Sequence, residues 1–154
     1  MAQDDPRLAF VYQEAIQGLE QQQAGLESLH NRAATLVFAA SFASSLLGSR
    51  ALANGLGAWD WTAVALLLAI GVLTVILLWP YYTLTFRFDP EDLLENYVDN
   101  PVTMDEMHRA LALRAKADWR SNGRIVHRLR QAFQVALVLL VLEILAWMFS
   151  IAKV

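Results

Sequence analysis

The longest segment without a charged side chain constrains the fold most. No charge occurs between Asp60 and Arg87, and residues 61–83 of this segment read WTAVALLLAIGVLTVILLWPYYT. A helix needs about 20 predominantly apolar residues to cross the roughly 30 Å hydrocarbon core of a bilayer. A helix of this length in a soluble protein would show a polar face toward water, and this segment has none. We therefore predict a transmembrane helix over residues 61–83.

Two further segments have the composition of membrane spans. Residues 33–53 begin with 17 uncharged residues between Arg32 and Arg50, which is the lower limit for a crossing. Residues 133–152 are predominantly apolar and carry a single charge, at Glu143. The sequence thus predicts an all-α membrane protein with three transmembrane helices, over residues 33–53, 61–83 and 133–152.

Composition supports a lipid environment and excludes several other classes. Hydrophobic residues make up 56% of the 154 and charged residues 18%, against about 45–50% and about 25% in typical soluble proteins. The net charge of −3 argues against a nucleic-acid-binding protein, which is normally basic. The absence of cysteine excludes disulfides, thiol nucleophiles and cysteine-based zinc sites.

Motifs of catalysis or metal binding are also missing. The chain has no glycine-rich phosphate loop, no nucleophile elbow and no paired catalytic carboxylates, and its three histidines are too scattered to form a ligand motif. We expect these histidines to be solvated helix residues. We therefore expect no catalytic residue, no metal and no cofactor, and do not expect an enzyme.

The basic residues predict an orientation in the membrane. Ten of the 12 lie in residues 5–32 or 85–132, and only Arg50 and Lys153 lie elsewhere. The positive-inside rule places the basic regions in the cytoplasm. The amino terminus is then cytoplasmic, whereas the short loop 54–60 and the carboxyl terminus lie outside the bacterial plasma membrane.

Residues 5–32 show the four-three spacing of a coiled-coil seam. The seam positions are Leu8, Tyr12, Ala15, Leu19, Gln22, Leu26, Leu29 and Ala33. This spacing predicts an amphipathic helix, in which the polar Gln22 can fix the register. No helix breaker separates it from the first span, so we predict one helix of about 45 residues, on the order of 65 Å long. The alternative is a break near His30.

Residues 85–132 predict a helical insert between the second and third spans. Asp89 caps a short helix that begins at Pro90 and runs to about Val98. Thr103 and Glu106 form a capping box that starts a second helix, which continues into the third span. The apolar positions of this helix are Met104, Met107, Leu111, Ala115, Ile125 and Leu129. Its seam can pack against residues 5–32 to form a cytoplasmic stalk of two helices.

Glu143 is the main candidate functional residue. It lies near the bilayer midplane, where a charged acid costs about 2.5 kcal/mol or more. Three serines lie at comparable depth in the first span, namely Ser41, Ser44 and Ser45. Helix packing is expected along a stripe of small residues formed by Ala40, Ser44 and Gly48. We expect a neutral Glu143 to form a hydrogen bond with one of the three hydroxyls, either as a purely structural contact between helices or as part of a pore or gate.

A basic cluster precedes the third span. It consists of Arg124, His127, Arg128 and Arg130. Each basic residue next to the membrane gains on the order of 1 kcal/mol from anionic lipid, which favours an anchor that sets the topology. The alternative is a binding site for a phosphorylated cytoplasmic ligand.

The order of the segments resembles a known group of proteins. A soluble helix ending in LESLHNRAATL precedes two spans, with Arg32 and Ala33 before the first span and Leu47 and Gly48 near its end, and an insert beginning DPEDLLENY precedes the last span. This order resembles the small membrane effectors of prokaryotic conflict systems, the SLATT-type two-span domains and the Pycsar transmembrane effectors. The resemblance implies a protein that forms oligomers on sensing a nucleotide second messenger or another infection cue, and then compromises the inner membrane. The chain lacks an added nucleotide-sensing domain, so a cytoplasmic signalling partner would supply the signal.

Two functions follow from these expectations. The first is a homo-oligomeric effector that perturbs the lipid bilayer. The second is a structural or accessory subunit of a larger inner-membrane complex, with the stalk as its docking surface. A small transporter is disfavoured because the chain has no pair of broken helices to form a substrate site.

Overall fold

A computed structural model describes residues 5–52, 57–81, 84–86, 88–99 and 102–152. Every regular element in these residues is helical, which confirms the all-α prediction. The elements are α1 (Pro6–Leu52), α2 (Ala58–Leu78), α3 (Pro90–Leu93), a π-helical turn (Leu94–Val98) and α4 (Met104–Ala152). The chain divides into two compact units: residues 1–26 and 81–126, here called the polar unit, and residues 27–80 and 127–154, here called the apolar unit.

The predicted helix starts on the polar side are confirmed. Asp89 caps α3 by accepting the N–H of Glu91 at 3.0 Å, and the helix continues through its π-helical turn to Val98. Before α4, Glu106 accepts the N–H of Thr103 at 3.0 Å and donates its own N–H to the Thr103 hydroxyl at 3.3 Å, as a capping box requires. The Thr103 N–H, and then its hydroxyl, stabilise the carboxylate and lower the pKa of Glu106.

Helix α1 is continuous, so the alternative of a break near His30 is wrong. It begins at Pro6, where the Asp5 carboxylate accepts the N–H of Arg7 at 3.0 Å, and it runs for 47 residues. Proline suits the first helical position because its missing N–H would have no partner there.

Helix α2 differs from its predicted bounds at both ends. It begins at Ala58 rather than Trp61, because the Asp60 carboxylate accepts the N–H of Gly57 at 2.7 Å and so stabilises the first turn. It ends at Leu78 because a proline, here Pro80, disfavours the helical conformation in the residue before it. The prediction of helix as far as residue 83 is thus wrong for residues 79–81, and residues 58–60 of the predicted loop are helical. Residues 53–56, 82 and 83 lie outside the described part of the chain.

In the polar unit, α1 and α4 pack side by side and run parallel. The Tyr12 ring stacks on His108 with centroids 5.6 Å apart, and further along Gln22 donates to the carbonyl of Trp119 at 3.0 Å. The described seam positions of α1 are buried or half-buried, as predicted. Met104, the first predicted seam position of α4, is 48% exposed, so the prediction is wrong at that residue.

Asn122 holds the chain segment before α3 against α4. The Asn122 side chain is 0% exposed, and its amide donates to the Thr85 carbonyl at 2.7 Å and accepts the Thr85 N–H at 3.3 Å. Farther along, Arg114 forms an ion pair with Asp92 at 2.7 Å. The hydrogen bonds of Asn122 therefore fix Thr85, which lies outside the helices.

We expect Asn122→Ala to loosen this segment locally. The change removes both hydrogen bonds to Thr85, which typically contribute about 0.5–1.5 kcal/mol each. Amide hydrogen exchange at residues 84–86 should then be faster by about tenfold or more, since 1.4 kcal/mol is a factor of ten. Asn31→Ala, at an exposed position of α1, serves as the control. Equal exchange in the two variants would contradict the assignment.

In the apolar unit, α2 runs antiparallel to both α1 and α4. Ile70 of α2 packs with Leu36, Ala40 and Ala136 in one core cluster. Nearer the start of α2, Ala63 packs with Ala51, Ala146 and Trp147 in a second cluster. The outward side chains of this unit are also apolar and include Phe38, Phe42, Leu68, Val72, Val138 and Val141.

Two helices have the length and apolar composition of membrane spans, α2 and α4. Only 22% of the most apolar 18-residue window of each is buried, whereas the core helix of a soluble protein would be mostly buried. Helix α1 is not among the candidates, so two of the three predicted spans are supported. By length and composition, α2 and α4 are thus long and apolar enough to cross a membrane.

Candidate functional site

Glu143 lies inside the apolar unit, between α1 and α4. Its side chain is 0% exposed. One carboxylate oxygen, Oε1, accepts a hydrogen bond from the Ser44 hydroxyl and lies 3.4 Å from the indole nitrogen of Trp147. The same indole nitrogen is 3.3 Å from the Ser44 oxygen. Ser44, Glu143 and Trp147 thus form one hydrogen-bonded cluster, which we call the Glu143 site.

The second carboxylate oxygen of Glu143 has no such contact. Oε2 is buried, and no group in the described residues forms a hydrogen bond with it. A buried polar atom without a partner costs roughly 1–3 kcal/mol relative to one that is solvated. Within the described residues, only one of the two carboxylate oxygens of Glu143 therefore has hydrogen-bond partners.

Gly48 allows α1 to approach Trp147 closely. A Cβ atom at this position would lie 3.2 Å from Trp147 Cη2 and 3.3 Å from Cζ2, which is tighter than ordinary packing. Ala40, one turn before Ser44, is 1% exposed and belongs to the core. The three small residues predicted to mediate helix packing therefore face the interior of the unit.

Of the three serines considered as partners, only Ser44 bonds Glu143. Ser41 is exposed and lines a groove between α1 and α2, and Ser45 is exposed as well. The reason is helical geometry, because successive residues point about 100° apart around the axis. Ser41 and Ser45 are thus at a suitable depth but on the wrong side of the helix.

Asp60 is a second buried acid, which was not predicted from the sequence. Asp60 is 2% exposed, and its carboxylate accepts the N–H of Gly57 and the hydroxyl of Ser150. These bonds connect the start of α2 with the end of α4. A signal was present, because Ser150 follows Glu143 by seven residues and so shares its face of α4.

The four residues of the basic cluster are all exposed on α4. Arg124 belongs to the polar unit, and His127, Arg128 and Arg130 belong to the apolar unit. In the described part of the chain, none of these four residues forms an ion pair. Both the membrane anchor and the phosphate-binding alternative require unpaired cations, which the three arginines provide.

The histidines differ from the expectation of full solvation. His30 and His108 are half-buried, and His127 is exposed. The Nε2 atom of His30 is buried and forms no hydrogen bond with the described residues. Among these residues no group of three or more acidic, histidine or cysteine side chains is arranged to hold a metal ion.

Comparison with known proteins adds no functional assignment. No protein-family model, no curated protein and no solved structure matches the chain. The Glu143 site and the surfaces of the two units are therefore the basis for assigning a function.

Proposed function

We propose that this chain is a three-span protein of the bacterial plasma membrane that self-associates and permeabilises the bilayer when a cytoplasmic signal or partner acts on it. In this proposal the amino terminus and the polar unit are cytoplasmic and the carboxyl terminus is outside. The packing of the apolar unit supports a third span in α1, because α1 lies alongside both candidate spans. The 17 uncharged residues between Arg32 and Arg50 are long enough for that crossing.

The observation that carries the proposal is the half-satisfied carboxyl group of Glu143. Ionisable residues inside membrane spans are expensive, and they usually mark a pathway or a moving element. An apolar side chain of similar size would leave no unsatisfied Oε2 in the core. The unsatisfied atom favours a second arrangement of the three helices, in which water reaches Glu143. The bundle held by Ser44 and Trp147 is then the closed state.

The segment order supports the same proposal. It resembles membrane effectors of prokaryotic conflict systems, which implies oligomerisation and damage to the inner membrane. The polar unit offers the cytoplasmic surface on which a signalling partner would act. No catalytic step, metal or cofactor is required for this function.

One observation favours a second candidate, the structural or accessory subunit. Both partners of Glu143, Ser44 and Trp147, belong to the same chain and join α1 to α4. A carboxyl group with these partners needs no role beyond holding the two helices together. The chain would then act as a rigid membrane scaffold for a larger complex.

Entry of an impermeant dye distinguishes the two candidates. Overproduction of the full chain in a bacterial host should arrest growth and admit propidium iodide, and purified chain should release a dye trapped in liposomes. A scaffold would leave the bacterial membrane and the liposomes intact. It would copurify with a larger partner. Recovery in the membrane fraction with no dye entry in either assay would contradict the proposal. Recovery in the supernatant after ultracentrifugation without detergent would contradict any membrane role.

A further inference from the structure

The polar unit has an apolar groove between α1 and α4. The groove has a volume of about 480 Å³, and its walls include Val11 and Trp119, which are 51% and 49% exposed. Small residues form its floor, among them Ala15, Gly18 and Ala112. Exposed large apolar side chains beside a groove mark an interaction surface when they are contiguous. We call this surface the Trp119 groove.

The segment of residues 88–99 covers a different flank of the helix pair. It contacts α4 through the ion pair of Asp92 with Arg114, and it contacts α1 through Phe88, whose ring stacks on Tyr12 at 6.5 Å. Arg114 precedes Trp119 by five residues, which is about 140° around an α-helix. Within the part of the chain that the structure describes, this segment therefore leaves the Trp119 groove open.

We propose that the Trp119 groove binds the same groove of a second copy of this chain. The charges on its rim carry the inference. Glu14 lies on the α1 side and Lys116 on the α4 side, and neither forms an ion pair in the described residues. When two identical rims face each other, the acid of one can therefore pair with the base of the other.

The geometry of such a pair follows from the groove. A two-fold axis along the helix pair places α1 of each copy against α4 of the other, which gives a parallel four-helix arrangement. Glu14 of each copy then meets Lys116 of the other, so two ion pairs form. A partner with a single sign of charge would be repelled by one of the two rims.

The small residues of the floor leave the groove shallow enough for a second helix pair to reach its walls. A Cβ atom at Gly18 would meet Trp119 Cδ1 at 3.7 Å, an ordinary van der Waals distance, so the indole ring lies against Gly18 at the edge of the floor. Val11 and Trp119 of each copy would be buried by the other. Partly exposed tryptophans at the centre of an interface often contribute most of its binding energy. The inference rests on the proposed function, because it names the surface through which the chain self-associates.

Charge reversal tests the pairing with the full chain in detergent micelles. We expect the wild type to be dimeric or larger by light scattering. Glu14→Lys and Lys116→Glu should each raise the dissociation constant by about tenfold or more, equivalent to about 1.4 kcal/mol. The double variant should return to within about threefold of the wild type, because the two ion pairs re-form with exchanged signs. Glu20→Lys and Arg120→Glu make the same charge changes at exposed positions outside the groove and should have no effect.

A cross-link provides a second test that does not depend on charge. The chain has no cysteine, so introduced cysteines are the only ones present. Two differently tagged chains, one with Val11→Cys and one with Ala112→Cys, should form a mixed disulfide under mild oxidation. A chain with Phe10→Cys, which is exposed but does not line the groove, replaces the Val11 variant as the control.

The outcomes separate this inference from the proposed function. A monomeric wild type, an unchanged mass in both single variants, or a double variant that is not rescued would overturn the docking of a second copy. Dye entry in any of these cases would leave permeabilisation standing. Conversely, a dimer with the expected charge rescue but without dye entry would support the docking surface and contradict permeabilisation.

Discussion

Glu143→Gln is expected to reduce dye entry by about tenfold or more, a change of about 1.4 kcal/mol in the opening equilibrium, while the chain stays folded in the membrane. The amide oxygen of glutamine can accept the bonds of Ser44 and Trp147 that now go to Oε1. The closed bundle is therefore kept. The open state loses stability because a neutral amide gains less from hydration than an ionised carboxylate. The rate of dye release from liposomes measures the effect.

Matched variants make this result specific. Ser44→Ala removes the hydroxyl that bonds Glu143 and should alter dye entry, whereas Ser45→Ala removes an exposed hydroxyl one residue away and should not. The circular dichroism of each variant confirms that the helices are intact. If Glu143→Gln is folded and releases dye at the wild-type rate, Glu143 serves only to hold α1 against α4.

Gly48→Leu is expected to destabilise the apolar unit by about 3 kcal/mol, at the upper end for an overpacked core. The Cβ atom alone would lie 3.2 Å from Trp147, so the longer side chain must displace the indole ring. Displacement removes the contacts of the indole nitrogen with Ser44 and Glu143. The free energy of unfolding in mixed micelles, followed by circular dichroism as sodium dodecyl sulfate is added, measures the loss.

Gly71→Leu is the matched control for this substitution. Gly71 is an exposed glycine of α2, and a Cβ atom there would meet nothing within 4 Å. Exposed substitutions of this kind usually change stability by no more than about 0.5 kcal/mol. A similar loss in both variants would mean that leucine acts through the helix backbone and not through Trp147.

The helices were largely predictable because their signals are local. The seam of α1, the continuity of that helix and the capping box before α4 each depend on residues within a few positions of one another. The end of α2 was misplaced because the hydrophobicity of residues 79–83 outweighed the presence of Pro80, although a proline restricts the residue before it. The restriction that Pro80 places on the residue before it, and not the hydrophobicity of the segment, therefore decides where α2 ends.

The buried polar residues of α4 were only partly predicted. Residues at seven-residue intervals in α4 are all buried or half-buried, namely His108, Ala115, Asn122, Leu129, Ala136, Glu143 and Ser150. Ala115 and Leu129 were predicted as seam positions and Glu143 as a partner of α1, whereas Asn122 and Ala136 were not predicted. The spacing that buries leucine and alanine buries asparagine too, because position on the helix decides which residues face the partner.

The amino-acid sequence alone determined the helical class, the continuity of α1, the caps of α3 and α4 and two helices apolar enough to cross a membrane, because periodicity, capping and hydropathy act between near neighbours. Only the tertiary structure decided that Ser44 rather than Ser41 or Ser45 meets Glu143. It also decided that Asp60 meets Ser150 and that Val11 and Trp119 line one groove. These partners are far apart in the chain, 99 residues in the case of Ser44 and Glu143. Their contact depends on the register of two long helices, which is set by the packing of many side chains at once.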